Sequence, residues 1–395
     1  MTSPVQVAFV QGVQTPDTIV HPALFYKLTR RMRFAAQSPT AIASGSSSQV
    51  QLKKTGVVSG LEIRVAGSVV IGGTIGTTTA SWEWPLNLLK GVKLSVNGQS
   101  TLIDARGIDI KVAEFMGDRG LDDRGVSQRV GNATAKTQGT LSLSHEDWGG
   151  TGAAANFIAP GLNVAAIATY PIELTFFLPV AADQASLVGS VFGQSQATNI
   201  NIELIWGSQS DLFSAVGGAA TISFTGVTYD VTAVAYSIPV VDGKAVLPDL
   251  SNLHGLNHVQ MPITASGETE FMLAGTGAGR YLLRAFYNVY SSSVPLAATF
   301  TNFANQSYKF GANDVPEIFP NGSKLRAKNE RDYNTDIGAW WGFMCHDFEN
   351  AYALRDIIDL GTTADFRVVV GLTTTPTAGQ VHLSQETLFL ATVGA

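Results

Sequence analysis

Residues Tyr170 to Trp206, YPIELTFFLPVAADQASLVGSVFGQSQATNINIELIW, decide the fold. Tyr170, Ile172, Leu174, Phe176 and Leu178 fall on one side, and Glu173 and Thr175 on the other. Period-two alternation predicts a strand with one face in a core. Asp183 then stands where an N-cap belongs. Behind it, the spacing of Leu187, Val188, Val191 and Phe192 predicts a short surface helix, stopped by Gly193. A second strand follows, with Ile200, Ile202, Leu204 and Trp206 inward and Asn199, Asn201 and Glu203 outward.

The same unit returns near the C-terminus. Ile337 to Cys345 reads as a strand, Asn350 to Asp359 as a short helix closed by Gly361, and Asp365 to Leu372 as a strand. In that last strand Phe366, Val368, Val370 and Leu372 share a face. The strand starts lie 29 residues apart in the first unit and 28 in the second. Shared order, spacing and register predict one β-rich domain present twice.

A chain of 395 residues has room for two such domains. Charged residues make up only 14%, against roughly 25% in an average soluble protein. A surface so poor in charge suits burial against neighbouring subunits. The net charge of −6 argues against nucleic acid as the main partner. The single cysteine, Cys345, leaves no intrachain disulfide framework and falls in a strand, where it reads as a small apolar filler. No signal peptide is evident and no apolar run is long enough for a membrane span, so synthesis in a host cytoplasm is expected.

Pro22 to Ala36 reads as an amphipathic helix, with Leu24, Leu28, Met32 and Ala35 as its stripe and Lys27, Arg30, Arg31 and Arg33 beside it. No Asp or Glu occurs from Thr18 to Leu61, and Lys53 and Lys54 add to the positive charge. Such a segment suits an anionic surface, lipid or nucleic acid; it equally suits an arm packed under a neighbouring subunit. Thr40 to Ser48 reads as a flexible linker, making residues 1–48 a mobile arm. Asn97-Gly98 predicts a hairpin between Val92–Val96 and Ser100–Ile103, and Asp104 to Met116 a helix. Thr221–Phe224 and Val227–Ile238 read as two strands that finish a first domain over 49–240. Pro239 to Met261 has weak periodicity and reads as part of an inter-domain connection over 241–264, before a second domain over 265–395.

No catalytic constellation emerges, and neither a cofactor nor a metal is called for. Gly275 to Gly279 precedes an aromatic, strand-like run rather than a helix, so it reads as a hairpin loop and not a phosphate loop. His254 and His258 flank Gly255 without a partnering Glu. Cys345 and His346, adjacent in a strand, point to opposite faces. His145, Glu146 and Asp147 have no nucleophile beside them. Asp118, Asp122 and Asp123 in the loop to Arg124 offer oxygen ligands for a cation, but a solvated charged loop is the commoner outcome. Trp82, Trp84 and Trp148 would serve a sugar-binding jelly-roll lectin or adhesin, the rival reading.

Several stretches taken together resemble the double jelly-roll major capsid proteins of tailless icosahedral viruses, with the nearest likeness to tectivirus-like phages whose shell encloses a membrane. They are Leu24 to Arg33, Tyr170 to Trp206, Val227 to Ile238 followed by DGKAVLPDLSNLHGLN, and AWWGFMCHD with FRVVVGL. The resemblance implies an all-β chain of two tandem eight-stranded-type jelly rolls with short helices. It further implies a homotrimer that forms a pseudo-hexagonal block and tiles with neighbouring trimers in the virion. Lys27, Arg30, Arg31 and Arg33 would then face an internal membrane or minor capsid and membrane proteins, without sequence-specific nucleic-acid contact. One departure concerns the last two major strands, whose starts are 28 residues apart in the first copy and 15 in the second. It leaves open whether the second roll has all eight strands.

Overall fold

The computed structural model describes residues 9–10, 13–14, 18–74, 76–97, 100–117, 161, 163–164, 167–194, 199–273, 279–311, 314–333, 336–349, 357–361 and 365–390. Its main strands fall into two sets of eight. The first is β1 (Arg31–Ala41), β2 (Ser47–Gln51), β3 (Val57–Thr74), β4 (Leu89–Val96), β5 (Ser100–Ala105), β6 (Ala168–Pro179), β7 (Ile200–Trp206) and β8 (Ala219–Tyr236). The second is β9 (Asn252–Pro262), β10 (Gly267–Met272), β11 (Arg280–Ser291), β12 (Phe303–Phe310), β13 (Asp314–Phe319), β14 (Met344–Asp347), β15 (Phe366–Leu372) and β16 (Gln380–Leu390). Among the described residues the helices longer than a single turn are α1 (Pro22–Leu28), α2 (Gly107–Gly117) and α3 (Gly322–Tyr333).

Sheet order repeats strand for strand. The first set forms β1-β8-β3-β6 and β2-β7-β4-β5; the second forms β9-β16-β11-β14 and β10-β15-β12-β13. Adding eight to each number turns one roll into the other, and each has a helix, α2 or α3, after its fifth strand. This is the jelly-roll arrangement of two packed four-stranded sheets. The second roll therefore has its eight strands.

The doubtful spacing has a local cause. Thr221–Phe224 and Val227–Tyr236 of the two expected strands are parts of one strand, β8, which begins at Ala219 and ends at Tyr236. Its pairing with β3 jumps between Thr225 and Thr228, around Gly226 at φ 60°. Opposite the bulge sits Gly67, where a Cβ would lie 2.4 Å from the Val227 Cα. Two glycines let a long strand bulge, and the interruption reads as an end.

Other expectations shift similarly. The helix expected after Asp183 is a single turn: Asp183 accepts hydrogen bonds from the Ala185 and Ser186 amides, and Leu187 at φ 58° ends it. Val191-Phe192 then pairs with β3. In the second unit, Gly338–Trp341 is a helical turn closed by Gly342 at φ 68°, and the strand begins only at Met344. The helix over Asn350–Asp359 falls mostly outside the described residues; Ile358–Asp359 is a short strand on β11. Strands β4 and β5 pair antiparallel as the expected hairpin requires, with Val96 opposite Ser100. Gly275–Ala278 lie outside the described residues. Their flanking strands β10 and β11 belong to different sheets, so this connection crosses between sheets rather than closing a hairpin.

Two cores result. The first lies between β3, β6 and β8 on one side and β4, β5 and β7 on the other. The second lies between β10, β12 and β15 and strands β11 and β16. Ile200, Ile202, Leu204 and Trp206 are all at most 4% exposed, each contributing about 2 kcal/mol of burial.

The rolls share a sheet. Strand β9, inside the stretch read as a connection, pairs antiparallel with β16 and parallel with β5 through Leu256–Ile103 and Asn257–Asp104. One cross-strand row runs Val50, Ile202, Leu94, Ile103, Leu256, Glu386, Arg284, Asp347, apolar through the first roll and Leu256 of β9, then charged across β16, β11 and β14. Because the joint is parallel, both rolls point the same way. The β1–β2, β3–β4, β5–β6 and β7–β8 connections and their counterparts gather at one end, and the others at the opposite end.

Candidate functional site

Among the described residues, no group of three or more His, Cys, Asp or Glu is placed to hold a metal ion. Cys345 and His346 do lie on opposite faces. Cys345 belongs to the first core, 3.2 Å from the Tyr333 hydroxyl, and burial, reinforced by Asp347, pushes its thiol up to about 12. His346 sits among Tyr287, Tyr308 and Phe319, and burial lowers its pKa to about 3. Neither arrangement makes a nucleophile. Trp84 is fully buried against Phe213, so it offers no sugar platform, and the Trp82 carbonyl accepts from the Trp341 indole. Trp148, the Asp118–Arg124 loop and His145–Asp147 lie outside the described residues.

The basic segment is only partly helical. Helix α1 stops at Leu28, capped at its start by the His21 ring, which accepts from the Leu24 amide. Thr29 turns extended, and from Arg31 the chain is β1, paired with β8. Arg31 and Arg33 project outward while Met32, Phe34 and Ala36 pack on the first core. The alternation RMRFA was present in the sequence, but the 3.6-residue stripe through Leu24 and Leu28 masked it. Lys27 and Arg30 are exposed, and Arg33 forms an ion pair with Glu62.

This segment is docked. Phe25 is fully buried with Val57, Leu187, Phe192, Val246, Leu247 and Leu250, and Thr18–Val20 pairs parallel with Lys244–Leu247. Strands β1 and β2 occupy much of 31–51, leaving residues 42–46 as the turn between them, so the expected linker and mobile arm are strands of the first roll from Arg31 onward. Lys53 and Lys54 lie on the β2–β3 turn, at the same end as α1 and the start of β1.

The outward faces carry linked ion pairs. On β1-β8-β3-β6, Arg64 lies 2.6 Å from Glu173 and 3.8 Å from Asp230. On β10-β15-β12-β13, Glu270 lies 2.7 Å from both Lys309 and Arg367. These pairs use the sparse charge within each face. Phe300, at 67%, and Ile318, at 57%, are large apolar residues left exposed on the second roll.

Between the rolls lies a buried polar seam, absent from the sequence reading. Arg106, just before α2, donates to Glu83 at 2.7 Å and to Asp109 at 2.8 and 2.9 Å. Tyr290 of β11 donates its hydroxyl to the same Glu83 at 2.8 Å. Asp109 is 3.2 Å from His258 Nδ1, and His258 Nε2 is 3.3 Å from His382 Nδ1. Further along, Arg284 lies 2.8 Å from Glu386 and 3.1 Å from Glu349, while His254 bridges Glu386 and the Pro179 carbonyl at 2.9 Å each. His254 and His258 thus join the rolls. Burial opposes the Asp109 charge, but Arg106 and His258 outweigh it and hold the carboxyl at about 2. The sequence signal was Ser384-Gln385-Glu386-Thr387, four polar residues in a row inside a strand and all at most 4% exposed.

No protein-family model matches the sequence, and no curated protein matches it. Solved structures do. The STIV MCP, a major capsid protein, is 15% identical with a TM-score of 0.62, covering 91% of this chain and 97% of its own. The atomic structure of Sulfolobus Turreted Icosahedral Virus gives 15% identity and a TM-score of 0.63, covering 91% of each chain. The PBCV-1 virus capsid gives 11% identity and 0.55, covering 93% of this chain and 96% of that one. The chain has the double jelly-roll fold. These viruses do not single out the tectivirus-like phages, and at such identities the likeness concerns the fold. With 91% or more of this chain covered, it extends over both rolls.

Proposed function

We propose that this double jelly roll is a viral major capsid protein, a building block rather than an enzyme. The observation that carries this reading is the repetition of one eight-stranded topology in two rolls that point the same way on a shared sheet. Two similar rolls per chain let three chains fill a position of sixfold outline, which a single roll does only as six chains. The STIV MCP and the PBCV-1 virus capsid, each similar over nine-tenths of the chain, bear capsid names, which supports the same role.

In this reading the chain forms a homotrimer, trimers tile an icosahedral shell in the virion, and the end bearing α1 faces inward. Lys27, Arg30, Arg31 and Arg33, with Lys53 and Lys54 beside them, suit a surface of anionic headgroups or acidic minor proteins. An internal membrane, and with it a tectivirus-like lineage, is the finer form of the proposal.

Light scattering and negative-stain imaging at rising protein concentration test the shell. Trimers and tiled sheets are expected; a protein that stays monomeric throughout refutes the reading. Flotation with anionic vesicles tests the membrane. Neutralising Lys27, Arg30, Arg31 and Arg33 should abolish flotation while trimers persist, and unchanged flotation removes that role.

A further inference from the structure

The seam places two histidines, His258 on β9 and His382 on β16, where the second roll meets α2 of the first. Their rings stack at 5.2 Å, and the edge of Tyr290 meets His382 at 5.0 Å. The groups that face them from every side are Asp109 and Arg106 from α2 and the residue before it, Glu83 from the β3–β4 connection, Asp104 from β5, Tyr290 from β11 and Ser384 from β16. Those distances define a relay. With both rings neutral, His258 donates through Nδ1 to Asp109 and accepts at Nε2 from Nδ1–H of His382.

The relay has room for one added proton. A charged His258 would donate from both nitrogens, and His382 would have to switch tautomer to present a lone pair. A second proton leaves no acceptor between the rings. N–H then faces N–H across 3.3 Å, with the Arg106 guanidinium close by. Like charges at this range in a half-buried site repel strongly.

We propose that the His258–His382 pair is an acid-operated latch between the two rolls: neutral, it ties β9 and β16 to α2; doubly protonated, it drives them apart while each roll keeps its own core. Burial followed by the nearby Arg106 lowers the pKa of His382 to about 3, and burial lowers that of His258 despite Asp109. The folded seam therefore resists protons that the unfolded chain accepts at about 6.5, and acid in between works against the joint.

Cys345 supplies the reporter. It is the only cysteine and lies in the first core, where residues of the second roll pack on the first. Its reaction with 4,4′-dithiodipyridine, which proceeds in acid, should rise about tenfold or more between about pH 7 and pH 4.5 while far-ultraviolet circular dichroism is retained. His382→Asn keeps a donor where Nδ1 stood and removes the titration; its Cys345 should show a much smaller rise. An equal rise in wild type and variant, or none in wild type, overturns the latch. Should the variant not fold, histidine ring proton shifts of the wild-type protein decide. Assigned rings of His258 and His382 that stay neutral until the joint opens support the latch, and either of them titrating near 6.5 in the closed protein refutes it.

Discussion

The side-chain amide of Asn329 pairs with the backbone of Cys345 from both ends, donating to its carbonyl at 2.8 Å and accepting from its amide at 2.9 Å. Strand β14 is the outer strand of its sheet, and Asn329 on α3 takes the place of a further strand at that residue. In the first roll α2 plays the same part on β6, where Glu114 lies 3.5 Å from the Phe177 amide. Each roll thus uses the helix after its fifth strand to cover the edge of its sixth, a position otherwise open to unwanted pairing.

Asn329→Ala leaves a buried N–H and C=O of Cys345 without these partners. A loss of about 2–4 kcal/mol is expected, read by urea unfolding, with the second roll failing first. A change under about 0.5 kcal/mol would mean that the amide is incidental.

Asp109→Asn should cost about 3 kcal/mol at neutral pH, because Arg106 and His258 lose a buried carboxylate. The sign with pH is fixed by the depressed carboxyl. Its stabilisation is complete above the unfolded value of about 3.9 and fades as pH falls through about 2. Thermal unfolding of both proteins from neutral to acid pH should show curves that converge at the acid end; a constant gap contradicts the assignment.

Gly67→Ala tests the bulge. At φ 151°, and with the new Cβ 2.4 Å from the Val227 Cα, the substitution forces β3 and β8 apart at mid-length. The expected cost is about 2–3 kcal/mol, against a few tenths for alanine at Gly117 at the end of α2, where nothing lies within 4 Å of the added atom. Parallel melts of the two variants make the comparison.

Cys345 should resist alkylation in the native protein at about pH 8, since burial holds the thiol near 12, and react fully once denatured. Mass spectrometry after iodoacetamide reads both states. Rapid native labelling would place the residue elsewhere.

Arg64→Ala should change the melting of the isolated chain little, under about 1 kcal/mol, because its partners Glu173 and Asp230 are partly exposed. A larger loss would show that this outer face is shielded from solvent.

The sequence by itself determined the repeat and most of the strands, since the period of two in Tyr170–Leu178, Ile200–Trp206 and Phe366–Leu372 is imposed locally by one buried face. It also determined the Asn97 hairpin and α2, whose signals lie within a few residues. Only the tertiary structure decided that Arg31–Ala41 is a strand, because its partner β8 lies some two hundred residues away and pairing outweighed a helical stripe. The joint through Leu256 and Ile103, and the burial of Glu386, Arg284 and the histidines, were likewise invisible in the chain. A strand whose two faces meet two different cores has no solvent side, so its charged residues read as exposed until their partners are brought to them from strands distant in the chain.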